Sequence, residues 1–259
     1  MTEFIDTHFH FDFIKDELAR RQFIDAIGKA EIKVIAQTVL PTQYPLLKGM
    51  YPIDVALGFH PWYIENEQQV AQELQSFLKE LPTTHFIGEI GLDFAPNRLQ
   101  QVEQKLQVDT FSRIIQMIRD YEQVHQHSFV VSIHTVRSAS VVLDILEKFQ
   151  LYQSKSQVIF HYFNGTSDEL MRHVHHGGWL SIHPNMLQTK KGRAYIKQVP
   201  INRLLLETDL PKPEQDTNEI VTQYPQVINQ LLEQLSELLG VDVRPIILEN
   251  QAQLYRYLS

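Results

Sequence analysis

The sequence contains no cysteine, so neither disulfide bonds nor thiolate metal sites can form. Any metal ion must therefore be held by histidine, aspartate and glutamate, which suit ions such as Zn, Mn or Mg. No apolar run approaches the roughly 18 residues needed to cross a bilayer. The first residues also lack the basic and then apolar pattern of a signal sequence. These absences predict a cytoplasmic protein with no membrane-inserted segment.

Glycine-rich phosphate or dinucleotide fingerprints are also missing, since none follows any of the apolar runs. No linker, low-complexity tract or internal repeat divides the 259 residues, which predicts a single domain over residues 1–259. The apolar content of 43% is enough for a substantial core. A net charge of −8 argues against a general coating of nucleic-acid phosphates, although a local basic or metal-lined cleft can still bind a phosphodiester.

Short β-branched apolar runs alternate with longer amphipathic segments, the pattern of repeated βα units around a parallel sheet. The segments 65–80, 99–123 and 138–149 are helix-like, and Thr166 and Glu169 form a capping-box pattern at the start of another helix. Eight strands and a length near ~250 residues predict an α/β fold, a single distorted (β/α)8 TIM barrel. A doubly wound open sheet is the alternative. The candidate strands are residues 3–7, 33–38, 53–57, 85–88, 129–133, 158–160, 179–182 and 204–206.

The first strand leads into two histidines, His8 and His10, separated by one residue. Residues two apart in an extended strand point the same way. The pair is therefore placed to hold one metal ion through neutral imidazole nitrogens. A surface strand that contains histidines by chance is the alternative, because the chain has 12 of them.

Polar side chains recur at the carboxyl ends of later strands, the face on which barrel enzymes assemble their sites. An acid is costly to place beside an apolar strand, and the glycines of the segment GEIGLD allow close backbone approach. This recurrence is a much rarer coincidence than one pair of histidines, and it predicts a metal site at that face. The residues concerned are His60, Glu89, Asp93, His134, His161 and Asp209.

The segments DTHFH at 6–10, GEIGLD at 88–93 and ETDLP at 207–211 resemble the TatD-like metal-dependent hydrolases of the amidohydrolase superfamily, often described as deoxyribonucleases. The resemblance runs from residue 4 to residue 211, with a weaker match at 249–255. It implies two divalent metal ions with Glu89 as the bridge between them. It further implies that one ion is held by His8, His10 and Asp209 and the other by His134 and His161, with His60 and Asp93 in the site as supporting or substrate-facing groups.

Two such ions, Mg, Mn or Zn, about 3.5–4 Å apart would lower the pKa of a shared water. Asp209 is the candidate to accept its proton, and Asp209 and Glu89 are thus the predicted catalytic residues. The predicted function is a deoxyribonuclease acting on single strands or ends of DNA, because a barrel mouth does not easily admit an intact duplex. Two alternatives stay open: hydrolysis of another ester or amide bond at the same site, or a role as a TatD-like subunit of a larger complex.

Departures from the family pattern concern the substrate. The family's arginine two residues after the strand-five histidine is displaced by one position to Arg137, which leaves its reach to the same phosphate open. Asn164, in the segment that replaces the family's HCFSG, is a further candidate contact. Four aromatic residues near the predicted mouth either stack on bases or simply pack. They are Trp62, Tyr63, Tyr162 and Phe163.

The remaining histidines have less specific interpretations. His183 follows a strand and is equally a site residue or a loop histidine. The segment between Phe111 and His134 is longer than expected for the family, which predicts an extended peripheral helix or loop, with a protein-partner site as the alternative. The other histidines are predicted to be solvated or structural and not ligands. They are His85, His125, His127, His173, His175 and His176.

Overall fold

A computed structural model describes residues 3–212, 215, 217–256 and 258; the predicted domain 1–259 also includes residues 1, 2, 213, 214, 216, 257 and 259, which lie outside the described residues. Over the described ranges, eight parallel strands pair in sequence order and close into a barrel. This confirms the predicted (β/α)8 fold. The strands are β1 Phe4–Phe9, β2 Ile32–Gln37, β3 Asp54–Phe59, β4 Phe86–Asp93, β5 Val130–Val136, β6 Gln157–Phe160, β7 Trp179–Ile182 and β8 Leu204–Leu206.

Helices alternate with the strands and cover the outside of the barrel. The predicted helix 99–123 is divided, because α4 ends at Leu99 and α5 starts only at Gln104. The capping box is present: Glu169 N donates to Thr166 Oγ1 (3.2 Å) and Thr166 N donates to Glu169 Oε2 (2.7 Å). The helices are α1 Glu17–Lys29, α2 Tyr44–Leu47, α3 Glu67–Glu80, α4 Pro96–Leu99, α5 Gln104–His125, α6 Ala139–Lys148, α7 Ser167–His175, α8 Pro184–Gln188, α9 Lys190–Gln198, α10 Thr217–Leu239 and α11 Arg244–Tyr255.

None of these described helices has both the length and the apolar character that crossing a membrane would need. The segment that the sequence predicts to be longer than in the family enters β5 at the opposite end from the site, where α5 ends at His125 and the chain passes through His127 into the strand. The ring of His127 stacks on that of His85 with 4.0 Å between centroids. The residues that set this segment apart therefore lie far from the carboxyl ends of the strands.

The barrel interior is filled in layers. One buried apolar residue from each strand joins a common cluster, closed at the amino-terminal end by Leu254 of α11. Above it lies a polar layer, in which the Thr7 and Ser181 hydroxyls are 2.7 Å apart and Gln37 Nε2 donates to the Thr7 carbonyl oxygen (3.0 Å). This order of layers places the predicted site residues on a filled support instead of over an open channel.

Barrel closure depends on Asp6. The β1 and β8 strands pair at Asp6 and Leu206, and the buried Asp6 carboxylate accepts hydrogen bonds from His8 N (3.0 Å), Thr208 N (3.2 Å), Thr208 Oγ1 (2.6 Å) and Tyr224 OH (2.7 Å). Burial raises the pKa of Asp6 to about 6, against the effect of these donors. One carboxylate thus joins β1, the second residue after β8 and α10, and it places His8 beside the loop that carries Asp209.

Candidate metal centre

Irregularities in two strands direct the predicted ligands inward. In β1 the register to β2 shifts between Asp6 and Phe9, and in β4 the register to both neighbouring strands shifts between Ile87 and Ile90. An extra residue in a strand bends it and redirects a side chain. Gly91 permits the close approach, because its φ is +147° and a Cβ there would lie 2.1 Å from the His134 carbonyl oxygen. Glu89 lies within this shifted stretch of β4, and its side chain points into the barrel mouth.

The carboxylate of Glu89 is the centre of the site. Its Oε2 lies 3.1 Å from His8 Nε2 and 3.4 Å from His10 Nε2. Its Oε1 lies 2.7 Å from His134 Nδ1 and 2.8 Å from His161 Nε2. The four imidazoles predicted as ligands therefore converge on one carboxylate, two on each oxygen, and His60 is a fifth, with its Nε2 3.3 Å from Oε1.

Asp209 completes one side of this arrangement. Its Oδ1 lies 3.2 Å from His10 Nε2 and 3.8 Å from His8 Nε2. The ligand atoms of His8, His10 and Asp209 lie within 4.8 Å of one another, which is close enough to hold one ion together. About 26% of the Asp209 side chain is exposed, whereas only 3% of that of Glu89 is. Asp209 is thus the more accessible of these two carboxylates.

The donor set fits a divalent cation. Asp93 can only accept when ionised, so the proton of neutral His134 lies on Nε2, 3.1 Å from Asp93 Oδ2. The lone pair of His134 Nδ1 then faces the Glu89 oxygen at 2.7 Å. Two hydrogen-bond acceptor atoms 2.7 Å apart repel each other unless a proton or a metal cation lies between them. Imidazole nitrogens and carboxylate oxygens are ligands that Zn accepts, and the carboxylates also suit Mg and Mn.

Without a metal ion, protons supply that charge. Burial alone would lower the pKa of His10, but its hydrogen bonds to Asp209 and Glu89 raise it to about 10. Burial likewise disfavours protonation of His161, yet the charge of Glu89 raises its pKa well above the ordinary value. Burial disfavours ionisation of Glu89, but the surrounding histidines, His60 and His161 foremost, hold its pKa well below its ordinary value. The carboxylate is ionised at neutral pH.

His60 lies beside the ligands in a different protonation state. Its Nδ1 accepts a hydrogen bond from Trp62 N (3.0 Å), so the proton of the neutral ring is on Nε2, 3.3 Å from Glu89 Oε1. Burial lowers the pKa of His60 and keeps the ring neutral. A protonated Nε2 cannot bind a metal ion but can donate a hydrogen bond. The ligand atoms of His60, Glu89 and His134 lie within 4.8 Å of one another, but this tautomer of His60 favours contact with a substrate oxygen over metal binding.

Glu207 belongs to the site although the sequence interpretation did not select it. It is fully buried, neither of its carboxylate oxygens has a hydrogen-bond partner among the described residues, and its Oε1 lies 3.6 Å from His161 Nδ1. Burial raises its pKa to about 7. The available signal was its place in ETDLP, two residues before Asp209. Its position beneath His161 depends on how β6, β7 and β8 pack, which no local pattern shows.

A cavity of about 450 Å³ opens above the Glu89 centre. Of the aromatic candidates, Trp62, Tyr63 and Tyr162 line it. Phe163 is only 2% exposed and stacks on Phe160, so for this residue the packing interpretation is correct. Neither Arg137 nor Asn164 is among the described residues that line this cavity, and both are exposed.

The remaining histidines lie outside the cavity lining. His183 is buried at the start of α8, where its Nδ1 accepts from Asn185 N (3.0 Å) and its ring stacks on Tyr162 at 4.0 Å. His173 is fully buried and stacks on Phe160 at 3.7 Å. His183 thus has features of both interpretations, because it supports Tyr162 in the cavity wall but does not line the cavity itself.

A barrel with a histidine and carboxylate centre at the carboxyl ends of its strands defines a class of metal-binding barrel proteins. Within that class, the chain matches the model of the TatD related DNase family over residues 5–256, and it belongs to this family. This confirms the resemblance found in the sequence.

Two relatives and one solved structure illustrate the match. The chain is 27% identical over 166 residues to human "Deoxyribonuclease TATDN3", which covers 62% of this chain and 55% of that protein, so it spans about half of that relative's length. It is 28% identical over 217 residues to the "Uncharacterized metal-dependent hydrolase YjjV" of Escherichia coli strain K12, covering 80% and 79%. The crystal structure of YjjV superposes with a TM-score of 0.77 at 23% identity over 98% of both chains, which shows a shared fold.

Proposed function

We propose that this protein is a metal-dependent deoxyribonuclease that hydrolyses phosphodiester bonds in single-stranded DNA or at DNA ends. The observation that carries the proposal is the convergence of four imidazoles on Glu89 beside the exposed edge of Asp209, at the base of an open cavity. One relative is named a deoxyribonuclease and another a metal-dependent hydrolase, which supports the same class of reaction.

Two divalent ions, Mg, Mn or Zn, would occupy the two sides of Glu89. His8, His10 and Asp209 would hold one, and His134 and His161 the other, with Glu89 shared between them. When bound, such ions supply an activated water and compensate the negative charge that develops on the phosphoryl group. Asp93 supports this arrangement by accepting from His134 Nε2, which directs the lone pair of Nδ1 toward the centre.

The chain's own groups then supply proton transfer and orientation. Asp209 is ionised, because the nearby His10 outweighs burial and lowers its pKa, and its partly exposed carboxylate is placed to take the proton of the attacking water. The Nε2–H of His60 faces Glu89 Oε1 at 3.3 Å, and it would become available to a phosphoryl oxygen once metal ions occupy Glu89. Trp62 and Tyr162 at the cavity wall offer ring faces to a base.

A second candidate function is hydrolysis of a small ester. It is favoured by the composition of the cavity wall, in which no lysine or arginine of the described residues is present. A long polyanion is usually bound by several such cations. A small uncharged ester needs none, so both substrate classes belong in the same assay.

The test is an assay of purified protein stripped of metal with EDTA and reloaded separately with Mg, Mn or Zn. Substrates are an end-labelled single-stranded oligonucleotide, the corresponding duplex, bis(p-nitrophenyl) phosphate and p-nitrophenyl acetate. We expect metal-dependent cleavage of the single strand at a higher rate than of duplex interior bonds, with none in EDTA. Turnover of the acetate without cleavage of any of the three phosphodiester substrates would overturn the nuclease assignment in favour of the ester.

A matched variant protects this assay from contaminating nucleases. Glu89→Gln, prepared by the same protocol, changes a single charge at the centre. Loss of cleavage in that preparation assigns the activity to this chain. Cleavage of equal rate in both preparations would show that the activity does not arise at Glu89.

A further inference from the structure

A second cavity adjoins the first. It has a volume of about 340 Å³, and Val136 and Tyr162 line both cavities. Its other walls come from the segment after β6, from α8 and from the start of α9, and they include Asn164, Asn185 and Lys191. The two cavities therefore adjoin each other, with Val136 and Tyr162 between them.

Tyr162 is held in place as the partition. One face of its ring stacks on the buried His183 at 4.0 Å, and its hydroxyl accepts a hydrogen bond from Asn185 Nδ2 (3.2 Å). Its backbone lies in the left-handed region with φ +36°, and 37% of the residue stays exposed. A ring supported from behind and open on its other side is suited to stacking on a base.

The two cavities have opposite electrostatic character. The first contains the carboxylates of Glu89, Asp93 and Asp209. In the described part of the second wall, by contrast, there is no aspartate or glutamate, and Lys191 is present. Such a wall favours an anion, whereas the first cavity needs bound cations before an anion can enter.

Lys191 is available for such an anion. Its Nζ donates to Asn164 Oδ1 (3.2 Å) and lies 5.5 Å from the centre of the Tyr195 ring. An ammonium group has three donors, and no carboxylate among the described residues pairs with this one. The side chain is exposed at the cavity. Donors therefore remain for a phosphate oxygen.

We infer that the second cavity is a subsite for the nucleotide adjoining the scissile phosphodiester, with Lys191 contacting its phosphate and Tyr162 stacking on a base between the two cavities. This inference rests on the proposed function. It assigns Asn164, a candidate contact from the sequence, to the subsite and not to the metal centre. It also explains how a strand is bound although the first cavity offers no cationic side chain among its described residues.

The experiment compares Lys191→Gln with Lys190→Gln, a neighbouring exposed lysine that does not line the cavity. Steady-state constants are measured with a single-stranded oligothymidylate and with bis(p-nitrophenyl) phosphate, which has one phosphodiester and no neighbouring nucleotide. For Lys191→Gln we expect the ratio of kcat/KM for the oligonucleotide to that for the small diester to fall about two- to fivefold, the worth of one exposed charged contact. Lys190→Gln should keep the wild-type ratio, and Lys191→Arg should restore most of it.

Salt provides an independent readout. Loss of one phosphate contact should reduce the slope of log KM against log salt concentration by about 0.7 for a single strand. Equal ratios and equal slopes in the two glutamine variants, with wild-type protein cleaving the oligonucleotide, would overturn the subsite alone. Failure of the metal-loaded wild-type protein to cleave any oligonucleotide would overturn the proposed function, and the subsite with it.

Discussion

The indole nitrogen of Trp62 donates a 2.6 Å hydrogen bond to Asp93 Oδ2, the same oxygen that lies 3.1 Å from His134 Nε2. A half-exposed ring of the cavity wall is thereby connected to a predicted metal ligand through one carboxylate. Hydrogen bonds and the charge of His134 lower the pKa of Asp93 despite its burial, so this acceptor is ionised.

Replacing Asp93 by Asn should weaken metal binding. The amide carries no charge and is a weaker acceptor, so it fixes the tautomer and orientation of His134 less firmly, a change that typically costs about 10–100-fold in affinity. Trp62→Phe is the comparison, because it removes the hydrogen bond to Asp93 and shortens the ring but keeps an aromatic side chain and the His134 contact. Titration calorimetry with Zn or Mn would measure both. Equal affinities in Asp93→Asn and wild-type protein would show that Asp93 does not orient the ligand.

Glu89→Gln should be among the most damaging single changes at the centre. The amide removes the charge that the surrounding imidazoles share, and it would leave the two proposed cations facing each other with less compensation. Elemental analysis should show loss of metal, and hydrolysis should fall with it. Glu207→Gln is the matched change, because Glu207 is equally buried but lies farther from the imidazoles. A larger loss of metal in Glu207→Gln than in Glu89→Gln would show that Glu207, and not Glu89, is the central carboxylate for metal binding.

Asp209→Asn should separate proton transfer from metal binding. The amide keeps an oxygen that can contact an ion and nearly the same volume, but it cannot accept a proton at neutral pH. We expect most of the metal to remain and turnover to fall roughly 10²–10⁴-fold, the usual contribution of a positioned general base. His8→Ala, which removes a ligand, should lower metal content and rate together. Single-turnover cleavage and elemental analysis at saturating metal measure the rate and the metal content of both variants. Near-normal cleavage by Asp209→Asn would contradict the role of Asp209 as proton acceptor.

His173 predicts a specific loss of stability in acid. Burial lowers its pKa from 6.5 to about 3, so between these values the unfolded chain takes up a proton that the folded chain excludes. Stability should therefore fall as the pH drops below 6.5, by up to about 1.4 kcal/mol per pH unit from this residue. Urea unfolding of metal-free protein between pH 7.5 and 5 measures the slope.

The comparison is between His173→Gln and the exposed His175→Gln. His173→Gln should be less stable at pH 7.5, because it loses the stacking on Phe160 and the hydrogen bond of Nε2 to the Trp179 carbonyl oxygen. It should nevertheless lose less stability on acidification than His175→Gln does. Parallel slopes in the two variants would assign the acid sensitivity to other groups.

The sequence predicted the strands well because each contains a short apolar run, β-branched in most of the strands, that is followed by polar residues. The predicted β7 and β8 have the bounds that the structure shows. The fourth strand was predicted to end at Gly88 but continues to Asp93. Glycine within a strand usually weakens it, whereas here Gly88 and Gly91 accommodate neighbouring atoms that a Cβ would meet at 2.1 Å. Local composition does not distinguish a strand end from such a close approach.

Other features required the assembled barrel. The burial of Phe163 and the exposure of its neighbour Tyr162 depend on the turn after β6, where Tyr162 has a positive φ. The second cavity brings together residues near positions 136, 163 and 190. No pattern within any one segment indicates a cavity formed by all three.

Because Asp6 hydrogen-bonds to Thr208, the centre can be completed only late in the synthesis of the chain. His8 and His10 leave the ribosome early. Asp209 follows some two hundred residues later, together with Thr208, whose hydroxyl donates a hydrogen bond to Asp6. A growing chain that ends before them has only part of the centre, so it lacks the proposed proton acceptor and the contact that aligns the first strand with the last. A nascent chain on the ribosome would therefore lack the complete centre until β8 pairs with β1.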